Sequence, residues 1–185
     1  MSVVFLDFDG PMFPTKMCLF KENREPISDE MIAKIGLNQE LYQIWKMDDF
    51  AILALHKLYE FNPFEIVVSS NWGNGNTREV IQNLFNANNI EIPLAQDYRL
   101  AQVNMSRLER VKEYIVRNNI QNYLMIDDYD SCPEMENLDN IEKLGLDSKS
   151  IFAVNFNNGI SLENYIDMRT QIIEWDKKVK NKLKL

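Results

Sequence analysis

The sequence predicts an α/β fold in three layers, with a parallel β-sheet between two sets of helices. Short apolar runs alternate with longer amphipathic stretches along the chain of 185 residues. Such alternation builds a parallel sheet joined by right-handed crossovers. The runs beginning near Val3, Phe64 and Tyr123 are apolar throughout rather than at every second residue, as strands covered on both faces must be. Each of these runs ends in carboxylates or hydroxyls, and ligands of such sheets sit beyond the carboxyl ends of the strands.

The first strand is expected at 3–8, within Val3-Val4-Phe5-Leu6-Asp7-Phe8-Asp9-Gly10. A strand alternates its side chains with period 2, so Asp7 and Asp9 start on one side and Phe8 on the other. Two acids there suggest a cation site and a reaction at a phosphate. The same Asp-Gly pair also makes an inert surface turn, and partners later in the chain decide between the two. Residues 11–46 follow, rich in polar and turn-forming types, with Pro11, Pro14 and Pro26. A helical stretch is expected at 28–36 and another at 47–61. The second carries His56, the one histidine, on an apolar helix, where a structural role is expected.

The second strand, 64–70, ends in Ser69 and Ser70, and Asn71 to Gly75 have loop composition. A helix at 77–88 and a third strand at about 92–95 come next. Ser106-Arg107-Leu108-Glu109 opens a helix at 106–118, with Ser106 as N-cap and Glu109 completing a capping box. Arg107 falls in the first turn, where the helix dipole disfavours a cation, so a bound anion would explain it. The fourth strand, 122–127, runs into the adjacent acids Asp127 and Asp128. A fifth strand at 151–155 and a helix at 162–180 complete the series.

Bulk properties bound the function. The length suggests a single domain over 1–185, with a small insertion at about 11–46. No stretch approaches the roughly 20 apolar residues of a membrane span. The N-terminus enters a strand with no basic leader, so a cytoplasmic location and no membrane partner are expected. Cys18 and Cys132 lack metal-site spacing. The net charge of −8 opposes binding of duplex nucleic acid. Five lysines at 177, 178, 180, 182 and 184 run against that charge. They are expected to complement a helix C-terminus and keep the tail solvated.

The series DxD, Ser, Arg, DD, each at a strand end or helix start, resembles the haloacid dehalogenase (HAD) superfamily and its four motifs. The resemblance runs from Val3 to about Leu162. It is similar in particular to small, nearly capless HAD domains associated with RNA-repair proteins. Ser70-Asn71-Trp72, the helix from Arg107 to Ile115, and Asn158-Gly159-Ile160-Ser161 carry that closer likeness. The resemblance implies a Rossmann-like sheet in the order 5-4-1-2-3 and a flap over the site built from 11–46, too short for a full cap. It also implies that Asp7 is the nucleophile of a phosphatase.

A carboxylate can attack phosphorus and form an aspartyl-phosphate. Asp9 is the candidate general acid for the leaving group and then base for water. Clustered anions require a cation, and Mg²⁺ takes oxygen ligands. Asp7, the Asp9 carbonyl and either Asp127 or Asp128 would suffice. Ser70 would donate to a phosphoryl oxygen, and Arg107 would offset transition-state charge. The expected substrate-binding set is Gly10, Ser69, Ser70, Asn71 and Arg107. Ser69 competes with Ser70, because a shift of one residue turns the side chain to the other face, and the following Trp72 favours Ser70. Arg110 and Lys112 are read as solvated helix residues, and Asp130 and Cys132 as incidental loop residues. Trp45, Phe50, Tyr59 and Phe61 are expected in core or cap packing.

The leading reading is a Mg²⁺-dependent phosphomonoester hydrolase, with a phosphorylated small molecule or a nucleotide or short nucleic-acid end as the expected partner. The alternative enzyme acts on a nucleotide or a short nucleic-acid end. Outside enzymes, a receiver-like signalling domain would carry paired acids first and a separate acceptor strand later, the reverse of the order here. A catalytically idle HAD fold that binds a partner is opposed by four intact motifs.

Overall fold

The structure is a computed structural model that describes residues 2–25, 27–36, 45–101 and 104–182, with side chains described as far as 175. The side chains of the C-terminal lysines lie outside the described residues. The chain forms β1 (Ser2–Leu6), α1 (Lys21–Arg24), α2 (Asp29–Ile35), α3 (Asp49–Phe61), β2 (Glu65–Val68), α4 (Trp72–Gly75) and α5 (Arg78–Ala87). β3 (Leu94–Arg99), α6 (Arg107–Arg117), β4 (Asn122–Asp128), α7 (Leu138–Lys143), β5 (Ile151–Val154) and α8 (Leu162–Lys182) follow. The five strands make one parallel sheet in the order β3-β2-β1-β4-β5. That is the expected order, read from the other edge, and helices cover both faces.

Alternation along β1 sorts the core into two layers. Val4, Leu6 and Phe8 pack with α3, α5 and α8, through residues such as Leu55, Leu84 and Ile172. Val3 and Phe5 face α6 and α7, against Leu108, Val111, Tyr114 and Ile141. β4 follows the same rule, with Leu124 and Ile126 on the first face and Tyr123 and Met125 on the second.

Several boundaries differ from the sequence expectation. β1 stops at Leu6 rather than residue 8, because the chain turns back at once. The N–H groups of Met12 and Phe13 both donate to the Phe8 carbonyl, at 2.9 and 2.8 Å. β3 begins at Leu94 rather than 92 and runs on to Arg99. Pro93 has no N–H to give a ladder, although its carbonyl still accepts from Ile66 N–H at 2.8 Å. The loop expected after β2 contains the single turn α4, and α1 and α7 are short helices that no periodicity announced. Ser106 does form the capping box, its hydroxyl oxygen accepting Glu109 N–H (3.3 Å) while Glu109 Oε2 accepts Ser106 N–H (2.7 Å).

Candidate active site

Strand parity brings the acids together. Asp7 continues the Val3–Phe5 side of β1 and Asp127 the Tyr123–Met125 side of β4, so both turn towards α6. Arg107, at the start of that helix, meets them there. Its Nη1 donates to Asp7 Oδ1 at 3.0 Å and to Asp127 Oδ1 and Oδ2 at 2.7 Å each. All three side chains are buried. The anion that a first-turn cation calls for is here a pair of the protein's own carboxylates. The Arg107 backbone N–H donates to Glu134 Oε1 at 2.9 Å, which fixes the helix start from a second direction.

The electrostatics follow from this burial. Desolvation raises the Asp7 carboxyl well above the ordinary range, neighbouring Asp127 adds to the rise, and Arg107 opposes it. Asp127 is pushed up to about 6, again by burial first and against the pull of Arg107. The two acids in turn outweigh the burial of Arg107 and hold its charge.

Asp128 has the opposite parity. Its Oδ1 accepts Ser131 N–H at 2.9 Å, whereas Asp128 Oδ2 and Asp7 Oδ2 are buried without a hydrogen-bond partner among the described residues. Asp7, Asp127 and Asp128 offer carboxylate oxygens within 4.8 Å of one another. Buried, unpartnered carboxylate oxygens are costly, and an all-oxygen donor set suits a hard cation such as Mg²⁺. Gly10 lies against this cluster at φ +87°, where a Cβ would stand 3.0 Å from Asp128 Oδ2. The turn therefore admits glycine and presses the acid into place.

Asp9 sits on the turn after β1 and stays within reach of the cluster, its charge adding to the rise of the Asp7 carboxyl. Its carboxylate accepts from the indole N–H of Trp72, at 3.2 Å to Oδ1 and 3.3 Å to Oδ2. Burial raises the Asp9 carboxyl and the indole hydrogen bond opposes the rise. Trp72 is itself buried, stacked on Phe13 with centroids 5.0 Å apart and edge-on to Phe8 at 5.8 Å. Ser70 Oγ accepts Trp72 backbone N–H at 3.3 Å. Ser69 gives its own N–H to Leu6 O at 3.0 Å, and its buried hydroxyl has no partner among the described residues. Asn71 is exposed at the rim.

Two contributions were hidden in the sequence. The hydrogen bond from Trp72 to Asp9 spans 63 residues, and no local pattern signals it. Gly159, at φ +73°, packs so tightly that a Cβ would meet Pro14 Cγ at 2.9 Å and Gly10 O at 3.3 Å. The loop after β5 also accepts Thr15 and Lys16 N–H groups on the Phe156 and Asn157 carbonyls, each at 3.2 Å. The Asn158–Ser161 motif thus props the turn that carries Asp9 and Gly10. Of the remaining candidates, Asp130 is exposed and His56 Nε2 lies 3.1 Å from the Asn89 carbonyl. Burial pushes the Cys132 thiol far up, away from nucleophilic chemistry.

Among the described residues no helix is long and apolar enough to cross a membrane. No curated protein and no solved structure matches the chain significantly. One family model matches, over residues 3–164, and its description is "HAD domain in Swiss Army Knife RNA repair proteins". The match takes in β1 from its second residue, the other four strands and every residue of the acidic cluster. This chain therefore belongs to that family of haloacid dehalogenase domains.

Proposed function

We propose that the chain is a Mg²⁺-dependent phosphomonoester hydrolase that works through an aspartyl-phosphate. The observation that carries this reading is the set of three buried aspartates with oxygens within 4.8 Å, faced by Arg107. In the first step an Asp7 carboxylate oxygen attacks phosphorus. The P–O ester bond breaks, its electron pair stays on the leaving oxygen, and that oxygen takes the proton of Asp9. In the second step water attacks the phosphorus while Asp9 takes its proton. The acyl-phosphate P–O bond breaks, Asp7 recovers its carboxylate and inorganic phosphate leaves. The raised Asp9 carboxyl supports a group that can hold a proton for the first step.

Arg107 spends both Asp127 oxygens, which favours Asp128 over Asp127 as the direct cation ligand. Asp7 Oδ2, Asp128 Oδ2 and the Asp9 carbonyl would then hold the ion. Bound there, Mg²⁺ supplies the positive charge that lets an anionic phosphate approach an anionic nucleophile. Ser70 and Arg107 bind and neutralise the phosphoryl oxygens. The family description favours the phosphorylated end of a nucleotide or short RNA as substrate. The test is phosphate release from a panel of phosphomonoesters with and without Mg²⁺, the panel including mononucleotides and 3′- and 5′-phosphorylated oligonucleotides. Hydrolysis that requires Mg²⁺ is expected. A pure, folded chain that releases phosphate from none of them refutes the proposal.

A further inference from the structure

We infer that Trp72 is a positioning residue for departure of the leaving group, holding the Asp9 carboxyl through its indole N–H. This rests on the phosphatase reading above. The indole nitrogen lies almost equally far from both oxygens, at 3.2 and 3.3 Å, so it restrains rotation of the carboxyl group about its bond to Cβ. The donor is itself fixed. Trp72 is buried, lies flat on Phe13 at an interplanar angle of 19° and meets the edge of Phe8.

Phe8 and Phe13 belong to the same turn as Asp9, and Asp9 and Phe13 are bridged through their backbones. Donor and acceptor therefore form one packed unit that ties the end of β1 to α4. Asp9 lies beyond the last residue of β1, on the turn that follows. An acid on such a turn would otherwise sample several rotamers, and proton transfer needs one geometry. Trp72 also shapes the loop that presents Ser70, since its backbone N–H donates to that hydroxyl.

A proton is needed most where the departing oxygen is basic. As the P–O bond breaks, an alkoxide must take the proton of Asp9, whereas nitrophenolate leaves without one. The experiment compares kcat/KM for a nucleoside monophosphate and for p-nitrophenyl phosphate, in the wild-type chain and in Trp72→Phe, with Mg²⁺. Phenylalanine keeps the ring stack and removes the N–H. General acids contribute roughly 10²–10⁴-fold, so misplacing one should cost about tenfold more on the alkyl ester than on the aryl ester. Replacing Trp72 by 3-benzothienylalanine, which keeps the bicycle and puts sulfur in place of N–H, should give the same selective loss should Trp72→Phe fail to fold. Equal losses on the two esters would overturn the inference and leave the phosphatase reading standing. A wild-type chain inactive on both and on the phosphorylated oligonucleotides overturns the reading and the inference with it.

Discussion

Arg107 and Asp127 meet through a single guanidinium nitrogen, with Nη1 at 2.7 Å from each carboxylate oxygen, and the same nitrogen reaches Asp7. One cation thus compensates two buried acids. Arg107→Ala leaves both without it, and breaking a buried ion pair from one side costs about 3–5 kcal/mol. Urea unfolding at neutral pH should show a loss of that size, and turnover should fall at least a hundredfold for want of a donor to the transition state. Arg107→Lys should not restore wild-type behaviour, since an ammonium lacks the planar array of donors. A fully active Arg107→Ala would refute the assignment.

The raised carboxyls give a pH dependence with a definite sign. Asp127 binds its proton more tightly folded, at about 6, than its ordinary value of 3.8. The native state then binds more protons than the unfolded one, so stability falls as pH rises. The contribution of Asp127 is present below about pH 4 and is lost by about pH 6, and Asp7 shifts in the same direction. Melting curves of the cation-free chain should slope downward across that window, and Asp127→Asn should flatten the slope. At pH 7 added Mg²⁺ should raise the melting temperature by mass action. A melting temperature indifferent to Mg²⁺ at millimolar concentrations would speak against a cation among these acids.

Much of this arrangement could be read from strand parity. The alternation that buries Phe5 and Met125 on the α6 side also sends Asp7 and Asp127 there. The capping box located Arg107 to within a turn of its partners. What escaped was geometry beyond the strand ends. Period 2 put Asp9 on the side of Asp7, but it did not announce that β1 stops at Leu6 and that the turn seats the Asp9 carboxylate on Trp72. The start of β3 was misplaced by Pro93, and α4 was hidden by glycines and asparagines that read as loop. Contacts such as Trp72–Asp9 and Gly159–Gly10 join residues far apart in the chain, and only the packed fold reveals them.

Asp7→Asn should abolish turnover and leave the fold intact. The amide keeps the shape and its Oδ1 can still accept from Arg107, but it cannot form the acyl-phosphate. Removing one of the three clustered acids should also stabilise the cation-free chain, because burial first and repulsion from Asp127 next raise the Asp7 carboxyl. Circular dichroism and thermal melts check the fold, and phosphate release checks turnover. Residual activity above a few per cent, with contaminating phosphatase ruled out, would remove Asp7 from the nucleophile role.

The two serines at the end of β2 should differ. Ser69 is level with Asp7, giving its N–H to Leu6. Ser70 lies one residue further, about 3.3 Å along an extended chain, nearer the space beyond the strands where a phosphate would sit. Its oxygen already accepts Trp72 N–H, which leaves its own proton to donate. Ser70→Ala should therefore raise KM for phosphomonoesters and lower kcat more than Ser69→Ala does. The opposite ranking would move the phosphate-binding hydroxyl to Ser69.

Substrate size is the remaining question, and the rim of the site bears on it. Asn71, Tyr129 and Asp130, in the loops after β2 and β4, are exposed, as are Leu19 and Phe20 in the segment after β1. A phosphate among Asp7, Ser70 and Arg107 could then remain attached to a bulky group. Long duplexes bind through many phosphate contacts, which a chain of net charge −8 opposes. A mononucleotide or short single-stranded end satisfies both conditions. Its kcat/KM should exceed that of a hexose phosphate by at least tenfold, and should exceed that of a blunt duplex carrying the same terminal phosphate. Raising the salt concentration should improve turnover of the longer oligonucleotides by screening repulsion from the acidic body. A clear preference for the hexose phosphate would assign the site to small metabolites and leave the chemistry at Asp7 unchanged.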